Sequence, residues 1–245
     1  MTQRLQGRVA LVFGAGSVGP GWGNGKATAV QYAREGARVV CVDLNQAAAD
    51  ETRDIILGEG GEARSLTCDV TRRDLIEQAV AATCDAYGTI DVLHNNVGLP
   101  AMGSIETITD AQWQLAMDVN LKSVLLSCQA AIPVMLKQGR GAIVNISSIA
   151  AIRYTGYPYP AYYASKAALN HLTVAIAMEY AGRGIRANAI MPGVMDTPHI
   201  YQAIAGQYDS KEAMVEARNK LSPTGRMGTG WDIAIMAKPW RRCSS

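Results

Sequence analysis

The chain has 245 residues, 49% of them hydrophobic, and a formal net charge of +2 with no long block of one sign. That length suits one α/β domain with a sizeable core, and the near-neutral balance excludes a polybasic nucleic-acid or membrane-surface protein. Five scattered cysteines (Cys41, Cys68, Cys84, Cys128 and Cys243) show no metal or redox spacing, and an N-terminus without an apolar stretch reads as a reduced, cytoplasmic protein.

In chain order, short apolar runs alternate with helical patterns. The runs at 8–14, 37–43, 63–69, 90–96, 141–147 and 185–191 are too apolar for a half-exposed sheet and read as buried parallel strands. Between them, helices are expected at about 25–35, 45–58, 71–87, 109–138 and 160–182. Asn45, Thr71 and Thr109 mark starts, and Gly36, Gly88, Gly139 and Gly182 mark ends. Repeated alternation predicts a single-domain, doubly wound parallel sheet flanked by helices. No apolar run is read as long enough to span a bilayer.

The first strand runs into "GAGSVGPGWGNGKATA", from Gly14 to Ala29. A strand, glycine loop and helix in succession suit a dinucleotide pyrophosphate: the backbone approaches closely and the helix offers free N–H groups. Two registers compete for the helix start, Gly19-Pro20-Gly21 and Gly23-Asn24-Gly25. Only the second leads directly into "KATAVQYA". The phosphate-approach roles go to Gly14, Gly23 and Gly25 with Asn24. "SVGPG" becomes an insertion over the pyrophosphate, with Ser17 as a phosphate donor.

Asp43 ends the second strand, where a carboxylate can accept hydrogen bonds from an adenosine ribose and repel a 2′-phosphate. No Arg or Lys follows it in "DLNQ", which favours NAD over NADP. Asp69 and Val70 end the third strand, where Asp69 can meet the adenine. Asn95, Asn96, Val97 and Gly98 end the fourth and can brace loops around the cofactor. Each also makes sense as an ordinary turn residue.

Tyr162 and Lys166 stand four apart, on one helix face. A nearby ammonium favours a phenolate and lowers a tyrosine pKa from about 10, making Tyr162 a usable base or acid. Ser148 ends the preceding strand and can hydrogen-bond a substrate oxygen as charge develops. Tyr154, Tyr157 and Tyr159, with Met102, Ile149 and Met195, promise apolar walls. Segment 193–230 breaks the strand–helix rhythm and reads as a substrate lid with one helix near 200–220. No cluster of Arg or Lys nearby points to a phosphorylated or acyl-carrier substrate.

Taken together, Gly14…Gly23-x-Gly25, Asp69, "NNVG", Asn120 in "DVNLKS", Ser148, Tyr162-x-x-x-Lys166 and "PGVMDT" resemble the short-chain dehydrogenase/reductase family, from Gly7 to about Gly228. The resemblance implies a Rossmann-like fold and metal-free hydride transfer between NAD(H) and a secondary alcohol or ketone, here a hydrophobic or cyclic one. It implies that Tyr162 is the acid/base and that Lys166 also binds the nicotinamide ribose. Asn120 would hold a proton-relaying water, and Asn95 would pack beside the cofactor. Pro192, Gly193, Val194 and Thr197 would meet the nicotinamide carboxamide. Ser148 lies fourteen residues before Tyr162, one more than the family's spacing, which implies one inserted residue in "YTGYPYP".

The family continues past "GRMGTGWDIA" to a seventh strand; here "IMAKPWRRCSS" follows, and residues 231–245 suit neither a long helix nor a buried strand. The expectation is a missing seventh strand, an exposed sixth-strand edge, and a homodimer through helices 109–138 and 160–182 in place of the usual tetramer. Two alternatives stay open: an NADP-dependent 3-oxoacyl reductase, and a catalytically silent dinucleotide-binding protein.

Overall fold

In the computed structural model, residues 3–239 are described; Cys243 and the end of the basic tail lie outside them. Six parallel strands form one sheet: β1 (Val9–Phe13), β2 (Arg38–Asp43), β3 (Glu62–Thr67), β4 (Val92–Asn95), β5 (Gly141–Ile146) and β6 (Ile185–Ile190). Their order is β3-β2-β1-β4-β5-β6, so the chain reverses direction between β1 and β4 and opens a crevice at the strands' carboxyl ends. The five residues of β1 are buried on both faces, as covered parallel strands require. Among the described residues no seventh strand pairs with β6.

Helices α1 (Asn24–Arg34), α2 (Gln46–Gly58), α3 (Arg73–Tyr87), α4 (Asp110–Met117), α5 (Ser123–Lys137) and α6 (Pro160–Tyr180) cover the sheet. One apolar cluster joins Leu11, Phe13, Leu93 and Ile143 to Ile76, Ile132 and Leu169. The other joins Val12, Val39 and Val144 to Val30, Tyr32 and Ile233. The helix expected over 109–138 contains a π-helical turn at Asp118–Lys122, a widening that sequence periodicity does not reveal. By length and composition this run of 28 residues could cross a membrane, contrary to expectation, but half of its apolar window is buried inside the protein.

The excursion after β6 holds two helices where one was expected, α7 (Pro198–Ala203) and α8 (Lys211–Leu221). Ser210 starts α8 by accepting from the Ala213 N–H at 3.0 Å. Two short strands, β7 (Met195–Asp196) and β8 (Gly228–Thr229), pair beneath them. The start of the supposed tail is helical: α9 (Gly230–Met236) has a Thr229–Asp232 capping box. It lies against α1, where Trp22 meets Trp231 at 4.6 Å between ring centroids.

Helix α1 opens at Asn24 behind Gly23. A Cβ on Gly25 would lie 1.8 Å from the Gly14 carbonyl oxygen, whereas one on Gly23 would meet nothing closer than 3.4 Å. Gly25 therefore sets how closely α1 seats on β1. Gly25→Ala is expected to destabilise the protein by about 1–3 kcal/mol or more through overpacking. Gly23→Ala should cost under ~1 kcal/mol; urea unfolding of the two variants makes the comparison.

Candidate active site

One cavity of about 860 Å³ runs along the carboxyl ends of the strands, from Asp43 and Asp69 past the glycine loop to Tyr162, Lys166 and Arg218. Its size is that of a small-molecule site.

At the first end, Asp43 accepts from the Gly16 N–H at 2.9 Å and from the Asn45 N–H at 3.1 Å. Gly16 escaped the sequence reading. A Cβ there would lie 2.6 Å from Ala48 Cβ and 2.9 Å from the Asp43 carboxylate, so only glycine lets this loop reach the carboxylate. Asp69 bends the next loop by accepting from the Thr71 N–H at 2.9 Å and hydroxyl at 2.7 Å. Asp69, Val70, Asn96, Val97 and Gly98 all line the cavity.

Asn95 does not. It donates to Asn145 at 2.9 Å and accepts from Ser127 at 2.8 Å, because strand alternation turns it into the core. Its neighbour Asn96 faces the cavity and donates to the Gly14 carbonyl at 3.0 Å. Gly25 is likewise a packing residue and absent from the lining.

The residues at the glycine loop fit a dinucleotide. Ser17 Oγ and Asn24 Oδ1 are buried without a hydrogen-bond partner, and both residues line the cavity. Helix α1 begins there with no side-chain cap and no acidic residue in its first turn, leaving N–H groups and the positive dipole end for an anion. Lys26 is not the phosphate's partner: its Nζ pairs with Glu51 at 2.6 Å and lies 5.0 Å from the Trp22 ring centroid.

At the second end, Pro160 sits in the first turn of α6, where it needs no N–H bond, and Tyr162 follows it. Lys166 is 2% exposed, donates to the Ile146 carbonyl at 2.8 Å, and lies 5.7 Å from the Tyr162 ring centroid. Burial lowers its pKa to about 8. The expectation that the ammonium lowers the Tyr162 pKa fails in this state. Burial raises the phenol, and a hydrogen bond with Ser148 acts in the opposite direction. Desolvation is the larger of the two effects, because burial penalises the charged phenolate.

Ser148 lines the cavity and also accepts from the Ala150 N–H at 3.1 Å. Ser147 donates to the Lys166 carbonyl at 3.3 Å. Asn120, brought inward by the π turn, is fully buried and outside the lining. Its amide accepts from the Leu99 N–H at 2.7 Å and donates to the Leu99 carbonyl and the Ser165 hydroxyl, both at 3.0 Å. It clamps the loop after β4 rather than opening into the cavity. A Cβ on Gly98 would lie 3.2 Å from Lys166 Nζ and 3.7 Å from Asn120 Oδ1; glycine thus lets the loop pass between them.

Pro192, Gly193 and Thr197 line the cavity, and the Thr197 side chain makes no cap bond to α7. Val194 is outside it, its carbonyl committed to the Gly228 N–H at 2.9 Å. Tyr157 and Tyr159 line the cavity, whereas Tyr154 is exposed, and Met102 and Ile149 are absent from the lining. Four further residues arrive from the lid: His199, Ile200, Ile204 and Arg218. Burial lowers the His199 pKa, with the Lys166 charge adding to the effect. Arg218 follows buried Met214 by four residues, an interval that places both on the inner face of α8; that spacing was the available signal. No metal-ligating cluster occurs among the described residues.

The chain matches the family model for short chain dehydrogenases over residues 8–207. It is 38% identical over 231 residues to a 3-oxoacyl-[acyl-carrier-protein] reductase of Thermotoga maritima, covering 94% of this chain and 89% of that protein. It is 35% identical over 234 residues to a 2,5-dichloro-2,5-cyclohexadiene-1,4-diol dehydrogenase of Sphingobium indicum, covering 96% and 88%. Among solved structures, that of levodione reductase superposes with a TM-score of 0.89 at 31% identity, covering 96% of this chain and 90% of the other.

Proposed function

The chain belongs to the short-chain dehydrogenase family, and from that premise we propose that it oxidises secondary alcohols or reduces ketones with NAD(H). The observation that carries this reading is Tyr162, Ser148 and Lys166 lining one cavity with a glycine loop fitted to a dinucleotide. When bound, the nicotinamide supplies or takes the hydride.

Tyr162 donates the proton to the nascent alkoxide in reduction and removes it from the alcohol in oxidation. Ser148 hydrogen-bonds the same oxygen, and the Lys166 ammonium offsets the charge left on the Tyr162 phenolate. Asn120 and Gly98 hold the loop beside Lys166. Ser17, Gly23, Asn24 and the first N–H groups of α1 would hold the pyrophosphate, with Gly14 and Gly16 allowing the approach. Asp69 and Val70 would border the adenine, and Pro192, Gly193 and Thr197 the carboxamide.

NAD is the proposed cofactor because Asp43 stands where the adenosine ribose would lie, and the only Lys or Arg residues among the described cavity lining are Lys166 and Arg218. The cavity's aliphatic and tyrosine walls favour a substrate with an apolar or cyclic body. The cyclic diol in the Sphingobium relative's name agrees with that preference. We take residues 193–230 as the substrate lid of a single domain. Exposed Trp113, Leu125, Val174 and Met178 on α4, α5 and α6 support a homodimer through those helices; sedimentation as a monomer at micromolar concentration would count against it.

Nicotinamide absorbance with NADH or NADPH and a ketone panel tests the reading. NADH should support turnover, and Tyr162→Phe should lower kcat by roughly 10²-fold or more. Turnover with NADPH alone would instead favour the 3-oxoacyl reductase alternative, and equal rates for wild type and Tyr162→Phe would remove the catalytic assignment.

The same assay predicts a pH dependence. Reduction needs Tyr162 as the phenol and Lys166 as the ammonium. With Lys166 held down to about 8, kcat/KM for ketone reduction should be level near neutrality and fall as pH rises through about 8–9. Oxidation, which needs the phenolate, should rise only above that range, because burial raises the Tyr162 phenol. A reduction profile level to about pH 10 would contradict this assignment.

A further inference from the structure

We infer that Arg218 receives a negatively charged group on the substrate, so that the molecule reacting at Tyr162 carries a carboxylate, or an oxyanion of similar shape, away from its reacting carbon. This rests on the reading of the cavity as a hydride-transfer site and adds the substrate's charge and its orientation.

Arg218 is 6% exposed and still lines the cavity. Its guanidinium donates to the Tyr157 hydroxyl at 3.1 Å, to the Met195 carbonyl at 3.4 Å and to the Met227 sulfur at 3.4 Å. All three acceptors are neutral, and the last two contacts are long. A guanidinium has five N–H donors, so donors remain. Among the described residues no carboxylate lies within 4.0 Å of Arg218, the ion-pair distance. Other buried charges are paired: Asp91 with Arg8 and Arg140, Lys26 with Glu51, and Glu35 with Lys238. Lys166 is the other unpaired buried cation lining this cavity, and it serves the chemistry. A buried cation without an anion is unfavourable unless something supplies the charge.

The placement says where the anion lies. From Arg218 the wall runs through Tyr157, then Tyr159 at 5.6 Å between ring centroids, then Tyr162 at a further 5.1 Å. Tyr157 is held in turn by the Tyr208 hydroxyl at 2.6 Å. A substrate with its carbonyl at Tyr162 and its anion at Arg218 lies along these rings, facing Ile200 and Ile204, through an apolar spacer. The opposite end of the cavity holds Asp43 and Asp69 and repels an anion. A planar fork facing a carboxylate can bond it at two points.

The test uses 4-oxopentanoate, 5-oxohexanoate and 6-oxoheptanoate, each against its methyl ester, titrated calorimetrically into the protein with NADH present. At least one acid should bind wild type about tenfold or more tighter than its ester, and added salt should narrow the gap. Arg218→Met should reduce the ratio to within about threefold, and Arg218→Lys should retain part of it because the charge stays and the fork is lost. Esters binding as well as all three acids would overturn the proposal, as would an undiminished ratio in folded Arg218→Met. Should Arg218→Met fail to fold, the wild-type ratios and Arg218→Lys decide: a full ratio in the lysine variant contradicts the fork's role. Turnover is read separately. An acid preference without turnover faults the hydride-transfer reading and upholds Arg218; turnover without any acid preference does the reverse.

Discussion

The Lys166 ammonium, buried at the carboxyl end of β5, is the constraint around which the site is arranged. It donates a hydrogen bond to the Ile146 carbonyl, and its desolvation brings its pKa to about 8. A normal lysine would pin its charge permanently; this one is poised to yield its proton near working pH. The same dry setting raises Tyr162, so the resting state is phenol above ammonium, the form a ketone reductase requires. The surroundings follow from keeping this pair dry. Gly98 passes close to Lys166 Nζ, and the π turn brings in Asn120 to hold the adjoining Leu99 backbone.

The glycine loop is longer than a pyrophosphate requires, and its extra residues connect the two halves of the cavity. Gln202 on α7 donates to the Val18 carbonyl at 2.7 Å. Pro198 lies 3.4 Å from where a Cβ on Gly21 would stand. Trp22 packs on Trp231 of α9. The loop beside the phosphate position thus touches the segment that supplies Thr197, His199 and Ile200 to the cavity.

The six strands were legible because buried parallel strands are nearly continuous apolar runs, and α1 because its loop and helical composition meet at Gly23-Asn24-Gly25. What the sequence concealed lies in side-chain direction and in contacts between distant segments. Asn95 and Asn96 are adjacent and alike, and only pleat alternation assigns one to the core and the other to the cavity. Gly25 reads as a phosphate glycine until its distance to the Gly14 carbonyl makes it a packing glycine. Val194 lies in the motif, yet its carbonyl is used by β8. The π turn interrupts a helix whose composition is uniform. Arg218 was invisible as a cavity residue because α8 had to be separated from α7, capped at Ser210 and folded back over Tyr157. The expected effect of Lys166 on Tyr162 failed because proximity in sequence carries no information on desolvation.

The direct measurement is the titration of Lys166 itself, followed by ¹⁵N NMR of the side-chain ammonium in the cofactor-free protein and assigned by its loss in Lys166→Met. A midpoint near pH 8 is expected, in keeping with the value of about 8 set by burial. A midpoint near the ordinary lysine value of about 10.4 would show a hydrated ammonium and contradict the desolvated tyrosine–lysine pair on which the site depends.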